Sequence, residues 1–481
     1  MKTEVLRAVG IWVDSDRVSS LKNFSVMLYK GEVTGILGLV GSGITVVADV
    51  LSGRKKMEKG CVYMGNTPVQ IKGMWQAEKL GIYVVSEKTI FLEHLRLEEN
   101  LCLSQRMDYA GLKFPSEKQL NRIRACMEEL HIRLQLREYP FKLCSFERHM
   151  AEIVRAYSMG CKILILNHVA NRYTKEELKK LKELIFLLKE KEISVLLLES
   201  NCERVCEAAD SLCILRDGRV EGTFGREDYD RRKIERVILG DYKIPDTQKT
   251  LFFRENNKKL LMEAKKIQNK NLYDISFQVE QGEVIGFWEE ENGICQSLLK
   301  ILWGEEKIKK GNLWLENEEI KTGFGHGMMV KQGIGYVERD MHGLFPGLTL
   351  ERNLTISSVD RMCVNGRIHS GLERAVAVDT AERMGIRIED LQKTAAEADS
   401  REKLMVSIYR WILNRSQVIL FNNVLEGADL LLRDGMVEAI NLAHEMGLGF
   451  LLFSSNKKEL YELCDHIYIL SGGKIVEELR K

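Results

Sequence analysis

The segment Gly38-Leu39-Val40-Gly41-Ser42-Gly43-Ile44-Thr45 leaves an apolar run, Val33–Gly38, and enters a helical pattern, Val46–Leu51. Glycines at this spacing let successive backbone N–H groups turn toward one point, and a helix N-terminus adds partial positive charge there. The chemistry is anion binding, above all of phosphate. The phosphate-loop pattern is G-x-x-x-x-G-K-[ST], in which the hydroxyl serves a magnesium ion. Gly38, Gly43 and Thr45 fit it, Gly41 and Ser42 supply the intervening backbone, and the lysine position holds Ile44. A loop of this kind cradles an anion but lacks the charge that grips it. The eleven cysteines include no C-x-x-C pair, and Cys202 and Cys206 stand at helical i,i+4 spacing. They read as small buried thiols of a reduced cytosolic protein, not as a metal site.

The elements that would hold such a loop are legible around it. Lys162–Asn167 and Ile193–Leu198 read, with Val33–Gly38, as buried strands. Thr174-Lys175-Glu176-Glu177 is a capping box opening a helix with Leu178, Leu181, Leu184, Ile185 and Leu188 on one face. Ser116-Glu117-Lys118-Gln119 is a second box, starting a helix through Leu130. Arg216-Asp217-Gly218-Arg219 predicts a hairpin turn. Strands alternating with helices predict a mainly parallel sheet covered on both faces.

Much of this pattern occurs twice. Gly31-Glu32-Val33-Thr34-Gly35 recurs as Gly282-Glu283-Val284-Ile285-Gly286, 251 positions later. Gly81–Val85 recurs as Gly333–Val337, and Asn100-Leu101 as Asn353-Leu354. Lys162–Asn167 returns as Gln417–Asn422, and Asp210, Ile214-Leu215 and Gly218 return as Asp465, Ile469-Leu470 and Gly473. The near-constant offset predicts one domain written twice, 1–242 and 251–481, joined by a linker at 243–250.

The composition suits such a protein. Of 481 residues, 45% are hydrophobic and 29% charged, which excludes a mainly disordered chain. Lys+Arg 71 against Asp+Glu 70 leaves no broad basic footprint for nucleic acid. No apolar run is long enough to span a membrane. The charged segment Met1–Val9 lacks the apolar core of a secretory signal. There are only five prolines. Gly323-Phe324-Gly325-His326-Gly327 reads as a connection, and the 18 methionines as core filler.

The order of glycine-rich loop, Gly-Ile-x-Val-Val strand, helical segment, apolar strand and final strand before Arg-Asp-Gly-Arg resembles the ATP-binding-cassette family. It is most similar to the double-cassette ATPase subunits of sugar importers of the ribose, galactose and xylose type. Leu143-Cys144-Ser145-Phe146-Glu147, with the helix through Ala156, lies where that family has its L-S-x-G-Q signature, and Tyr409–Leu413 matches the corresponding helix of the second copy. The resemblance implies an α/β fold of tandem P-loop NTPase domains. Each has a mainly parallel sheet core, an antiparallel β part and a helical subdomain.

The same resemblance locates departures. In the first copy the Q-loop glutamine is Glu87, and the signature serine and glycine are Cys144 and Phe146. The Walker B aspartate is Asn167, the catalytic glutamate His168, and the switch histidine Asn201. In the second copy Glu289-Glu290-Glu291 lies in the phosphate loop, with Cys295 at the lysine position. The signature there is Ala398-Asp399-Ser400-Arg401-Glu402, Walker B ends in Asn422-Asn423, and the switch falls near Ser455. The proline that follows Walker B in the family is Val169 in one copy and Val424 in the other.

The family closes two cassettes head to tail over two nucleotides, each site joining one loop to the other copy's signature. It implies membrane-spanning permease subunits and, through them, a sugar-binding protein as partners, with the chain peripheral on the cytoplasmic face. Losing the loop lysine removes a charge-assisted contact worth ~1.5–3 kcal/mol. Asn167 keeps the shape of an aspartate without its charge, which weakens a metal shell. Arg401 either offsets the lost positive charge or blocks closure. Three glutamates repel a triphosphate, and the expected second loop is solvated and wraps nothing. Hydrolysis needs a base for the attacking water. Asn423 cannot serve, whereas His168 has a titratable ring. The expectation is therefore ATP with Mg2+ at the first site only, held weakly, with little or no hydrolysis. The alternatives are a non-enzymatic scaffold or regulator on the permease, and a hydrolase using His168.

Overall fold

A computed structural model describes residues 2–13, 20–103, 116–240, 259–289, 293–364 and 366–480. The expected linker, 243–250, lies outside the described residues. The chain divides into two units, Met1–Lys243 and Ile244–Lys481.

In the first unit a six-stranded sheet has the spatial order Arg219–Gly225, Ser211–Arg216, Val33–Leu37, Ser194–Glu199, Ile163–Asn167, Ile82–Ser86. All neighbours are parallel except the Ser211–Arg216/Arg219–Gly225 hairpin. The apolar runs are strands because both of their faces are buried. Ile163, Ile165, Leu196 and Leu198 join one core, while Leu164, Leu166, Val195 and Leu197 join another on the opposite face. Period-two alternation thus divides one continuous apolar run between two layers. The first core is closed by an antiparallel sheet of Leu21–Tyr29, Glu4–Val13, Lys59–Met64 and Thr67–Val69. The second is closed by helices that include Ser145–Ser158 and Lys175–Glu190.

Both expected capping boxes form. Ser116 caps Glu117–Glu129, and Thr174 caps Lys175–Glu190. The expected hairpin turns at Asp217, whose φ is 50°. The strand expected to end at Leu198 runs one residue further, to Glu199.

The second unit repeats this order with Lys474–Arg480, His466–Ser471, Val284–Glu289, Gly449–Phe453, Val418–Asn422 and Ile334–Glu338. Matching contacts explain which residues recur. Asp210 accepts the Val33 N–H at 2.9 Å, and Asp465 accepts the Val284 N–H at 3.0 Å, so each carboxylate anchors the strand that leads into a loop. Asn100 accepts from Leu92 N at 2.8 Å, and Asn353 accepts from Phe345 N at 2.7 Å. The Gly323–Gly327 segment does connect elements, and His326 at the head of the next helix stacks on Trp303 at 5.0 Å.

Candidate functional site

In the first unit Val33–Leu37 is wholly buried and delivers the chain into the loop that ends at helix Ile44–Leu51. A Cβ at Gly38 would lie 2.3 Å from Ser42 Oγ and 2.7 Å from the Leu215 carbonyl, so no side chain fits there. Gly43 caps the helix at φ 97°, a left-handed conformation glycine adopts without strain. Ser42 N–H donates to Leu39 O at 3.0 Å, while the amides of Gly43 and Ile44 have no backbone acceptor among the described residues. Ile44 turns its side chain into the core and Thr45 is exposed. The lysine position is therefore a packing position here.

At this end of the sheet the buried oxygens Ser42 Oγ, Ser86 Oγ, Asn167 Oδ1 and both carboxylate oxygens of Glu199 have no hydrogen-bond partner. A ligand oxygen, a water or a cation would satisfy them, so the first loop fits a phosphate group with its metal. Asn167 ends its strand beside Ser86, and its carbonyl accepts from Glu87 N at 3.0 Å. His149 links this corner to the signature helix, with Nε2 3.0 Å from Glu87 O and Nδ1 2.7 Å from Tyr173 Oη. Phe146 fills the signature glycine position and packs edge-on against Tyr173 at 5.0 Å. Cys144 caps the start of the helix, its amide donating to Glu147 at 2.9 Å.

His168 lies just past the strand in a left-handed conformation, φ 52°. Its Nδ1 faces Glu199 Oε2 at 3.8 Å. Glu199 is completely buried, and neither of its oxygens has a hydrogen-bond partner. The sequence reading did not single out Glu199. A charged residue ending an apolar run is the one signal that could have done so. Asn201 is not brought to the loop as a reactive group, because its Oδ1 accepts Arg204 N at 3.3 Å and caps helix Cys202–Ala208.

The second unit differs from the expectation in two respects. The loop was expected to be solvated and to wrap nothing. Instead the Glu289 carboxylate accepts three backbone N–H groups, from Gly293 at 3.0 Å, Ile294 at 2.6 Å and Cys295 at 3.0 Å. These amides open helix Ile294–Leu302, so the positive helix end is met by a carboxylate of the same loop. Glu290 and Glu291 lie outside the described residues. Cys295 is buried, which pushes its thiol pKa up. The amide donors of Gly293, Ile294 and Cys295 are thus taken up by a side chain of the same unit.

Arg401 is the second correction. It was expected to act on phosphate or on closure, but it forms a bidentate pair with Glu438, Nε–Oε2 3.0 Å and Nη2–Oε1 2.9 Å, and also donates to Met384 O. Asp399 caps its helix by accepting Glu402 N at 2.7 Å. At the strand end Gln296 Nε2 donates to Asn422 Oδ1 at 3.2 Å, Asn423 Nδ2 to the same oxygen at 3.3 Å, and Asn422 Nδ2 to Tyr336 Oη at 2.9 Å. Trp288 Nε1 donates to the carbonyl of Ser455, the switch position, at 3.2 Å.

The cysteines are all free, but only part of the set is buried, since Cys61, Cys144 and Cys363 are exposed. Among the described residues no group of three acidic, histidine or cysteine side chains is placed to hold a metal.

Comparison with known proteins follows the same division. The profile of the ABC transporter family matches residues 21–170 and 272–425. The chain is 25% identical over 484 residues to "Ribose import ATP-binding protein RbsA 1" of Rubrobacter xylanophilus, covering 99% of this chain and 95% of that protein. It is 24% identical over 495 residues to "Ribose import ATP-binding protein RbsA" of Caldanaerobacter subterraneus, covering 99% and 96%. Among solved structures, an ATP-binding cassette of an ABC transporter in its ADP conformation is 21% identical, with TM-score 0.43, over 50% of this chain and 96% of that one.

Proposed function

Because the chain belongs to the ABC transporter family, with one cassette in each half, we propose that it is the ATP-binding subunit of a carbohydrate importer that binds nucleotide weakly in its first cassette and turns over little or none of it. The importer reading is carried by one observation, similarity to ribose import ATP-binding proteins over 99% of the chain. Its partners are then membrane-spanning permease subunits and, through them, a sugar-binding protein, with the chain peripheral on the cytoplasmic face. Among the described residues no helix is long and apolar enough to cross a membrane, in keeping with a separate permease. Docking is supported by exposed Met74 and Ile90, which line a groove of about 190 Å³ with Tyr83 and Arg155.

Binding at the first site is supported by the amides of Gly43 and Ile44 together with the partnerless Ser42 Oγ and Asn167 Oδ1. Thr45 would hold the Mg2+ that accompanies a bound ATP, and that ion would supply charge to offset the phosphates. Weakness follows from buried Ile44 and neutral Asn167. Slow turnover follows from Asn201, which serves as a helix cap. A second reading, a scaffold or regulator on the permease, is favoured by the second loop, where Glu289 takes the amide donors.

Equilibrium dialysis of the full chain with radiolabelled ATP·Mg separates these readings. Micromolar binding that is lost in Thr45→Ala is the expected result. No binding at millimolar ATP would leave the scaffold. Turnover of tens per minute that disappears in His168→Ala would establish a hydrolase and sink the weak-turnover reading.

A further inference from the structure

We propose that Glu289 is a built-in phosphate surrogate that holds the loop and loop helix of the second unit in their anion-bound arrangement without nucleotide. This deepens the reading that nucleotide is confined to the first unit, and it stands on contacts inside the second unit alone.

Three observations converge. The first is the coordination. Two carboxylate oxygens accept three consecutive amides, one from Gly293 at 3.0 Å and two, from Ile294 and Cys295, at 2.6 and 3.0 Å. Successive N–H groups at a helix N-terminus hold a phosphate oxygen cluster in the same way, and charge-assisted bonds of this kind are the strong ones. The second is the position. By the 251-residue offset Glu289 stands where the first unit has Gly38, and there a Cβ would meet Ser42 Oγ at 2.3 Å. A side chain at this point would clash in the first unit, whereas in the second unit the Glu289 carboxylate reaches the amides of Gly293, Ile294 and Cys295. The third is what surrounds it. Gln296, Asn422, Asn423 and Tyr336, at and beside the positions that would serve metal and water, bond to one another as neutral groups.

A phosphate entering this loop must displace a tethered carboxylate that pays no association entropy. The arrangement of the second loop therefore does not follow nucleotide concentration. The second unit acts as a constant element, while any nucleotide response belongs to the first.

Hydrogen exchange of the full chain, read at the amides of Gly293, Ile294 and Cys295, tests this. Wild-type protection should be unchanged by saturating ATP·Mg or by inorganic phosphate. Glu289→Ala should raise exchange there by about tenfold or more, as three bonds to a charged acceptor are lost, and inorganic phosphate should restore part of the protection. Glu289→Gln keeps the volume and one acceptor oxygen and should fall between. Unchanged protection of strand Val418–Asn422 shows that the variants remain folded. Protection that responds to ATP·Mg or phosphate in the wild type would overturn the proposal, as would unaltered exchange in Glu289→Ala. The amides of Gly43–Val47 are read in the same experiment. If they ignore ATP·Mg, first-site binding fails while the surrogate stands.

Discussion

Glu152 sits on the signature helix with its carboxylate buried, accepting Ile90 N at 3.3 Å. Burial raises its pKa most, and Arg155 and the Ile90 amide lower it less. A carboxyl that is harder to ionise when folded binds more protons in the folded chain, so its contribution to stability falls as pH rises through the ordinary carboxylate range. Glu152→Gln should therefore raise the melting temperature at pH 7 and give no gain near pH 4, as calorimetry at the two pH values would show. A larger gain at pH 4 would contradict this sign. Glu199 is a second buried carboxyl, its oxygens without hydrogen-bond partners and His168 Nδ1 at 3.8 Å. His168 was singled out because the resemblance sets it at the position of the catalytic glutamate. Glu199 was not, because burial next to an imidazole depends on a neighbouring strand and leaves no mark at its own position. Likewise three glutamates in a row read as charge, and nothing local says that the first turns back onto the helix.

At the level of elements, the recurring residues turn out to be fasteners. Asn353 accepts Phe345 N and donates to the carbonyls of Phe345, Leu348 and Thr349 at 3.0–3.1 Å, fixing the loop before helix Leu350–Thr355. Asn100 does the same for Leu92, Leu95 and Arg96. Asn353→Ala leaves buried backbone groups unpaired and should cost about 2–3 kcal/mol, measurable by urea unfolding. A loss near zero would mean that water replaces the amide. Asp210 and Asp465 hold their strands through Val33 and Val284, with Lys189 and His444 as their respective partners. These elements were legible because the constraints on them are local: capping boxes, a two-residue turn and apolar runs of strand length. Strand ends shifted by a residue, as at Glu199, because hydrogen bonding across the sheet, not the apolar pattern, sets where pairing stops.

For the whole molecule, the two units share one sheet topology, and in the second Glu289 accepts the amides that open its loop helix. If ATP binds the first unit only, ATP·Mg at about a hundredfold over its dissociation constant should stabilise that unit by about 2.7 kcal/mol and leave the other unmoved. Calorimetry should then show one shifted transition and one fixed, and two shifted transitions would contradict the confinement of nucleotide to the first unit. The sequence by itself determined the duplication and the parallel sheet, because a long-period repeat, apolar runs of strand length and caps are written in the order of residue types. It also read Ile44, Asn201, Arg401 and Glu289 at positions where the resemblance implies other residues. Only the tertiary structure decided what the replacements do. Ile44 packs inward, Asn201 caps a helix, Arg401 is spent on Glu438, and Glu289 occupies the amides of its own loop. The reason is physical. The role of a polar side chain is set by the donors, acceptors and burial around it, and these are brought together by packing between distant segments or by a loop path that residue types alone do not specify.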